Sequence, residues 1–255
     1  LYNKNISTNY YRSHPFSKQR LEQVKRYKLK YQKEHVTEKK VLINDNIISL
    51  KYIKNKIKAY DTDPFEIIKN LDKKNDFLSN YSKLIALYRI GKYELAYKKM
   101  SEIKYKYKHY PFFHELKGDI YFMKGDFNNA IMEYEKSILS FQEVFTPSTD
   151  LLKFSLVKTY LQSNNRTNLK KSIIVLEELL LNNPNWSYLW RLLAKSSGKL
   201  NYKGITYIAL AEEALIKKNF IKAKKYVDLA NNQSNLPSSY RLRGLDIVAR
   251  IKLNK

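Results

Sequence analysis

The chain of 255 residues is 44% hydrophobic, enough for a sizeable core, while only 6 Gly and 6 Pro argue against a strand-and-turn architecture. It has no cysteine, which excludes disulfides and thiolate metal sites. The formal net charge is +24. Lys is nevertheless spread along the whole length beside abundant Asn, Ile and Tyr, the residue usage of an AT-rich genome, and no basic run points to a nucleic-acid partner. No segment approaches the run of about 18 apolar residues that a membrane span needs.

Residues 1–13 are polar, Asn-rich and without period, so an extended lead-in is expected. In Ser13-His14-Pro15-Phe16-Ser17, Pro15 pushes His14 away from helical angles and Ser17 can cap a helix starting at Lys18. That helix is expected to run to about Lys33 with Leu21, Val24, Tyr27 and Tyr31 on one face. A second is expected from Thr37 to about Ala59, with Val41, Ile47, Leu50 and Ile57 in a looser pattern. Asp63 suits an N-cap and Pro64 the first helical position of a short helix through Leu71.

From Leu78 to Ser140 the sequence reads as two copies of one helical hairpin. Gly91 to Gly125, Tyr93 to Phe127, Ala96 to Ala130 and Met100 to Tyr134 are each 34 residues apart, the length of a tetratricopeptide repeat, or TPR. Gly91 and Gly125 end the first helix of each copy, and Ala96 and Ala130 let the second helix approach closely. Phe127, Ala130, Ile131, Tyr134 and Ile138 share one helical face. The hairpins are expected at about Phe77–Ile90 with Tyr93–Ile103, and Phe112–Met123 with Phe127–Leu139.

A third, longer unit places Leu152, Leu156 and Tyr160 on one helix and Leu169, Ile173, Leu176 and Leu180 on the next, across a polar loop from Ser163 to Thr167, and Pro184 closes it. Trp186, Trp190, Leu193 and Ala194 open a fourth unit, whose helix stops near Gly198. After Gly204, the residues Ala211, Ala214, Phe220, Ala223, Val227 and Ala230 repeat the small-residue pattern. A last helix, Ser238 to about Leu253, carries Tyr240, Leu245, Val248 and Ala249 against Arg241, Arg243 and Arg250, as a cap for the stack.

His114-Glu115 begins an H-E-x-x-H zinc pattern, but Gly118 stands where the second histidine belongs. His35 and His109 are isolated among Lys and Tyr. No Ser/His/Asp set, Gly-rich phosphate loop or carboxylate pair with a histidine occurs at useful spacing, so no catalytic residue is assigned in this chain and no complete metal site is read. Helical spacing from the small core positions assigns a partner groove to Tyr81, Tyr88 and Arg89 of the first hairpin and to Glu115, Asp119 and Phe122 of the second.

His14-Pro15 before a helix with Arg20-Leu21, then Pro111-Phe112-Phe113-His114-Glu115-Leu116-Lys117-Gly118 leading to Gly125 and Ala130, then Trp190-Arg191-Leu192-Leu193-Ala194, Ile208-Ala209-Leu210-Ala211-Glu212 and Tyr240-Arg241-Leu242-Arg243-Gly244-Leu245-Asp246 occur in this order. This series resembles the C-terminal part of the BepA-type, HtpX-related zinc metallopeptidases with TPR tails, in their alphaproteobacterial form, from about Tyr10 onward. The resemblance implies a periplasmic, membrane-associated metalloendopeptidase acting in envelope quality control, its TPR tail recruiting partners or substrates. It implies zinc in the intact parent protein, bound by an H-E-x-x-H helix and a later Glu that precede the region present here, and none bound by this chain alone. It also implies that His14 lies close to that metal. It further implies an N-terminal metallopeptidase domain in cis, and since the chain opens on Leu1 and not Met, its true beginning is expected to be missing or removed.

The fold expected is all-α, a TPR-like α-solenoid of about four to five helical hairpins preceded by two to three N-terminal helices. Residues 1–16 form the lead-in with the His-Pro loop, 17–72 a helical segment linking the protease domain to the repeats, and 73–255 the array with its capping helix. The partner expected in the groove is a protein or peptide, with no nucleic acid and with membrane association through the parent protein. The rival reading is a free-standing TPR scaffold without protease activity.

Overall fold

The computed structural model describes residues 39–71, 74–103, 110–144 and 149–253, and all regular structure among them is helical. The helices are α1 (Lys39–Asp61), α2 (Pro64–Leu71), α3 (Phe77–Arg89), α4 (Tyr93–Ser101), α5 (Pro111–Met123), α6 (Phe127–Val144), α7 (Asp150–Ser163), α8 (Arg166–Asn182), α9 (Ser187–Lys199), α10 (Lys203–Ile216), α11 (Phe220–Asn231) and α12 (Ser238–Leu253). His14, the lead-in and the helix expected at Lys18 to Lys33 lie outside the described residues. None of these helices is long and apolar enough to cross a membrane.

The chain divides after Lys58 into two units. Of the first, the described part belongs to α1, where Leu50 and Ile57 are mostly exposed and so do not form the buried face expected of them. The second unit, from Ala59, opens with the last turn of α1. Within it each helix from α2 onward packs against the next in the chain, and α3 also meets α5 and α10 meets α12.

The helix starts rest on capping side chains that satisfy orphan amides. Asp63 accepts from the amides of Phe65 and Glu66 at 2.8 and 3.0 Å ahead of Pro64. Asp76 caps α3 through Ser79, and that hydrogen bond holds its carboxyl below the usual range. Asn165 caps α8 and Asn219 caps α11. The expected loop from Ser163 to Thr167 shrinks to two residues, because left-handed Asn164 ends α7 and Asn165 begins α8 at once.

Four helix ends share one turn, in which the residue after the cap is left-handed and two amides reach back to the last helical turn. At α3 the amides of Gly91 and Lys92 donate to Tyr88 and Leu87 at 3.1 and 2.9 Å. At α5 those of Gly125 and Asp126 donate to Phe122 and Tyr121, both at 3.0 Å. The same pair of bonds ends α9 at Asn201 and α10 at Lys218, with φ of 60° and 58°. Glycine fills the first two positions at no steric cost, with φ of 75° and 77°.

Ala96 and Ala130 are fully buried, as close approach of their helices requires, and Ala223 and Ala230 do the same in α11. One apolar core joins α7 to α12 through Val157, Leu176, Leu189, Leu193, Ile208, Val227 and Ile247. Each such side chain contributes about 1.5–3 kcal/mol when fully buried. A second joins α6 to α7 through Ala130, Tyr134, Phe141, Leu156 and Tyr160.

The face of α12 differs from expectation. Its buried stripe is Tyr240, Gly244, Ile247 and Ile251, while Leu245 is 62% exposed and Ala249 faces outward. Gly244 sets this phase, since a β-carbon there would stand 3.2 Å from Ile208 Cδ1. Polar ties fix the same face: Arg243 and Arg250 donate to the buried Glu212 carboxylate at 3.0 and 3.4 Å, and the Arg243 guanidinium lies 4.9 Å from the Trp190 ring centre.

Candidate functional site

The six residues assigned to a groove lie on α3 (Tyr81, Tyr88, Arg89) and α5 (Glu115, Asp119, Phe122), and Tyr81 and Tyr88 lie within electrostatic reach of Asp119. Asp119 accepts a hydrogen bond of 2.6 Å from the hydroxyl of Tyr134 on α6. Tyr60, Tyr81, Tyr88 and Tyr134 all feel its negative charge, and Glu115 acts on Tyr60, Tyr81 and Tyr134. Burial is the larger cause in each case and the carboxylates add to it, because both disfavour a phenolate. The Tyr88 hydroxyl is pushed up to about 12, and Tyr60, Tyr81 and Tyr134 are also raised. Four phenols that stay neutral thus lie near Asp119, groups suited to hydrogen bonding and stacking.

Not every assigned residue faces outward. Tyr81 is fully buried: its ring stacks on Phe77 and its hydroxyl donates to the Phe112 carbonyl at 3.2 Å, so it fixes α3 to the start of α5. Arg89 donates to the carbonyls of Ala59 and Thr62 at 3.0 and 2.5 Å, which commits its guanidinium to the end of α1 and the turn after it. Both are corrections to a ligand-reading role: Tyr81 is used within α3 and by the start of the following helix α5, and Arg89 by the segment preceding α3. Tyr88, Glu115, Asp119 and Phe122 remain partly exposed. The Phe122 ring packs edge-on to Phe127, with centres 5.8 Å apart, against the α6–α7 core. Sequence spacing missed Tyr60, which is 41% exposed beside this group, and Tyr134. The repeat period held a signal only for Tyr134, which occupies the position of Met100 one unit later.

The histidine of the incomplete zinc pattern sits elsewhere. His114 Nδ1 lies 2.6 Å from Glu133 Oε2, and Lys117 and Lys136 reach the other carboxylate oxygen at 2.9 and 3.3 Å. Glu133 is 2% exposed. Burial alone would raise its carboxyl, but the hydrogen bonds from His114 and Lys117 outweigh it and hold the group at about 2. Gly118 is required by packing, because a β-carbon there would stand 2.7 Å from Cδ1 and Cε1 of the Tyr134 ring. His114 is thus engaged with a carboxylate that two lysines also claim, and no group of three or more metal-ligating side chains occurs among the described residues. These residues do not fit a zinc ion.

Among known proteins the chain matches no family model and no curated protein.

Proposed function

We propose that α3 to α12 form a TPR-like stack serving as the interaction module of a periplasmic zinc metalloendopeptidase in envelope protein quality control. Zinc binding and peptide-bond cleavage belong to a preceding metallopeptidase domain, and His14 stands near that metal. The stack recruits a protein or peptide at Tyr88, Glu115, Asp119 and Phe122. The observation that supports the interaction role is the recurrence, 34 residues apart, of one hairpin pattern, with Tyr88, Glu115, Asp119 and Phe122 left partly exposed on the first helices of its two copies. The protease assignment rests on the ordered sequence blocks from His14-Pro15 to Tyr240-Asp246.

The test reads the DNA upstream of the Leu1 codon in frame, then purifies the whole encoded protein and measures bound zinc and cleavage of denatured casein. An upstream H-E-x-x-H with a later Glu, stoichiometric zinc and casein cleavage are expected. Phe122→Ala should weaken substrate capture with the zinc content unchanged. A frame without that motif, or an intact protein that binds no zinc and cleaves nothing, refutes the protease reading and leaves a free-standing scaffold.

A further inference from the structure

A cleft of about 400 Å³ opens between α8, α9 and α12, away from the residues grouped around Asp119. Its apolar lining comes from Leu180, Trp190 and Leu193, and Leu181 stands at its mouth 79% exposed. Glu177 and Glu178 of α8 form one wall and Arg243 of α12 the other. The Tyr240 hydroxyl reaches across to donate to Glu177 Oε1.

The charges on the two walls are met differently. Arg243 pairs with Glu212 beneath it, a carboxylate it shares with Arg250, and lies on the Trp190 ring. Glu178 pairs with Lys153. Glu177 accepts from the neutral Tyr240 phenol and, among the described residues, forms no ion pair, the Arg243 guanidinium standing on the facing wall. The last turn of α8, just beyond it, contains no basic residue to balance the partial negative charge of a helix C-terminus. In a chain of net charge +24, this wall sets an unpaired carboxylate beside an apolar floor.

We infer that this cleft is a second binding site, taking an extended peptide segment in which a Lys or Arg lies close to a large aliphatic or aromatic residue. The apolar residue fills the space over Trp190, Leu180 and Leu193, and the cation meets the second oxygen of Glu177. Tyr240 fixes the carboxylate in advance, which limits the ordering that binding requires. The inference does not depend on the protease assignment.

The test probes the full chain with a positional-scanning array of acetylated, amidated heptapeptides in a Gly/Ser background, then titrates the best peptide by fluorescence anisotropy. Selection of Lys or Arg at a fixed spacing from Leu, Ile, Phe or Trp is expected. Glu177→Gln keeps an oxygen for Tyr240, and it should weaken binding about tenfold and erase the preference for a cation. Leu181→Ser, at an exposed position that folding does not need, should weaken binding while keeping that preference. A flat array overturns the inference. So does selection of acidic residues, which would hand the reading to Arg243, or a selected peptide whose affinity Glu177→Gln leaves unchanged.

Discussion

Gly118→Ala tests whether the α5–α6 contact is set by the shape of one ring. In an unobstructed helix interior alanine is better than glycine by about 1 kcal/mol. Here the new β-carbon would stand 2.7 Å from two carbons of Tyr134. That ring has little room to yield, being buried, packed with Ala130 and Ile131, and tethered by its hydroxyl to Asp119 at 2.6 Å. Overpacking of this kind costs about 1–3 kcal/mol, so the net effect is a loss of about 1 kcal/mol once the propensity gain is subtracted. Urea melts monitored by far-UV circular dichroism on the parent, Gly118→Ala, Tyr134→Ala and the double variant close the cycle. In the Tyr134→Ala background the same Gly118→Ala change should become stabilising. A Gly118→Ala protein as stable as the parent, or a loss that persists without the ring, would refute the reasoning.

The Glu133 carboxyl is held at about 2 against an ordinary 4.5, so the stability linked to it is complete above 4.5 and is lost as the pH falls toward 2. Glu133→Gln should lower stability at neutral pH and flatten the acid limb of a plot of melting temperature against pH; an unchanged limb contradicts the assignment. Arg89→Ala should cost about 1 kcal/mol and speed amide exchange in α2 and the last turn of α1 while leaving α9 to α12 unaffected. Lys218→Gly, at a left-handed position with φ of 58°, should raise stability by about 1 kcal/mol. Gly91→Ala should lower it by a similar amount, and denaturant midpoints for the pair check both signs.

Periodicity made most of the helices legible. Asp63-Pro64 marked the start of α2, Gly91 and Gly125 marked two turns, and Ser238 to Leu253 marked the last helix, because each rests on chemistry local to a few residues. The phase of α12 was not legible. Leu245 and Ile247 are equally apolar in the sequence, and only the close approach at Gly244 to Ile208 decides which is buried. The turns at Asn201 and Lys218 also escaped, since a left-handed lysine carries no local signal. At the candidate site, spacing assigned Tyr88, Glu115, Asp119 and Phe122, which are partly exposed. It misjudged Tyr81 and Arg89, whose partners Phe112, Ala59 and Thr62 offer backbone carbonyls that any residue would supply.

Because each helix from α2 to α12 leans chiefly on its immediate neighbours in the chain, damage in this unit stays local. An altered side chain in α4 has no direct route to α11. A protease or a pulling force therefore meets separate seams from α2 to α6, while α7 to α12, knotted by one shared core, hold or yield together.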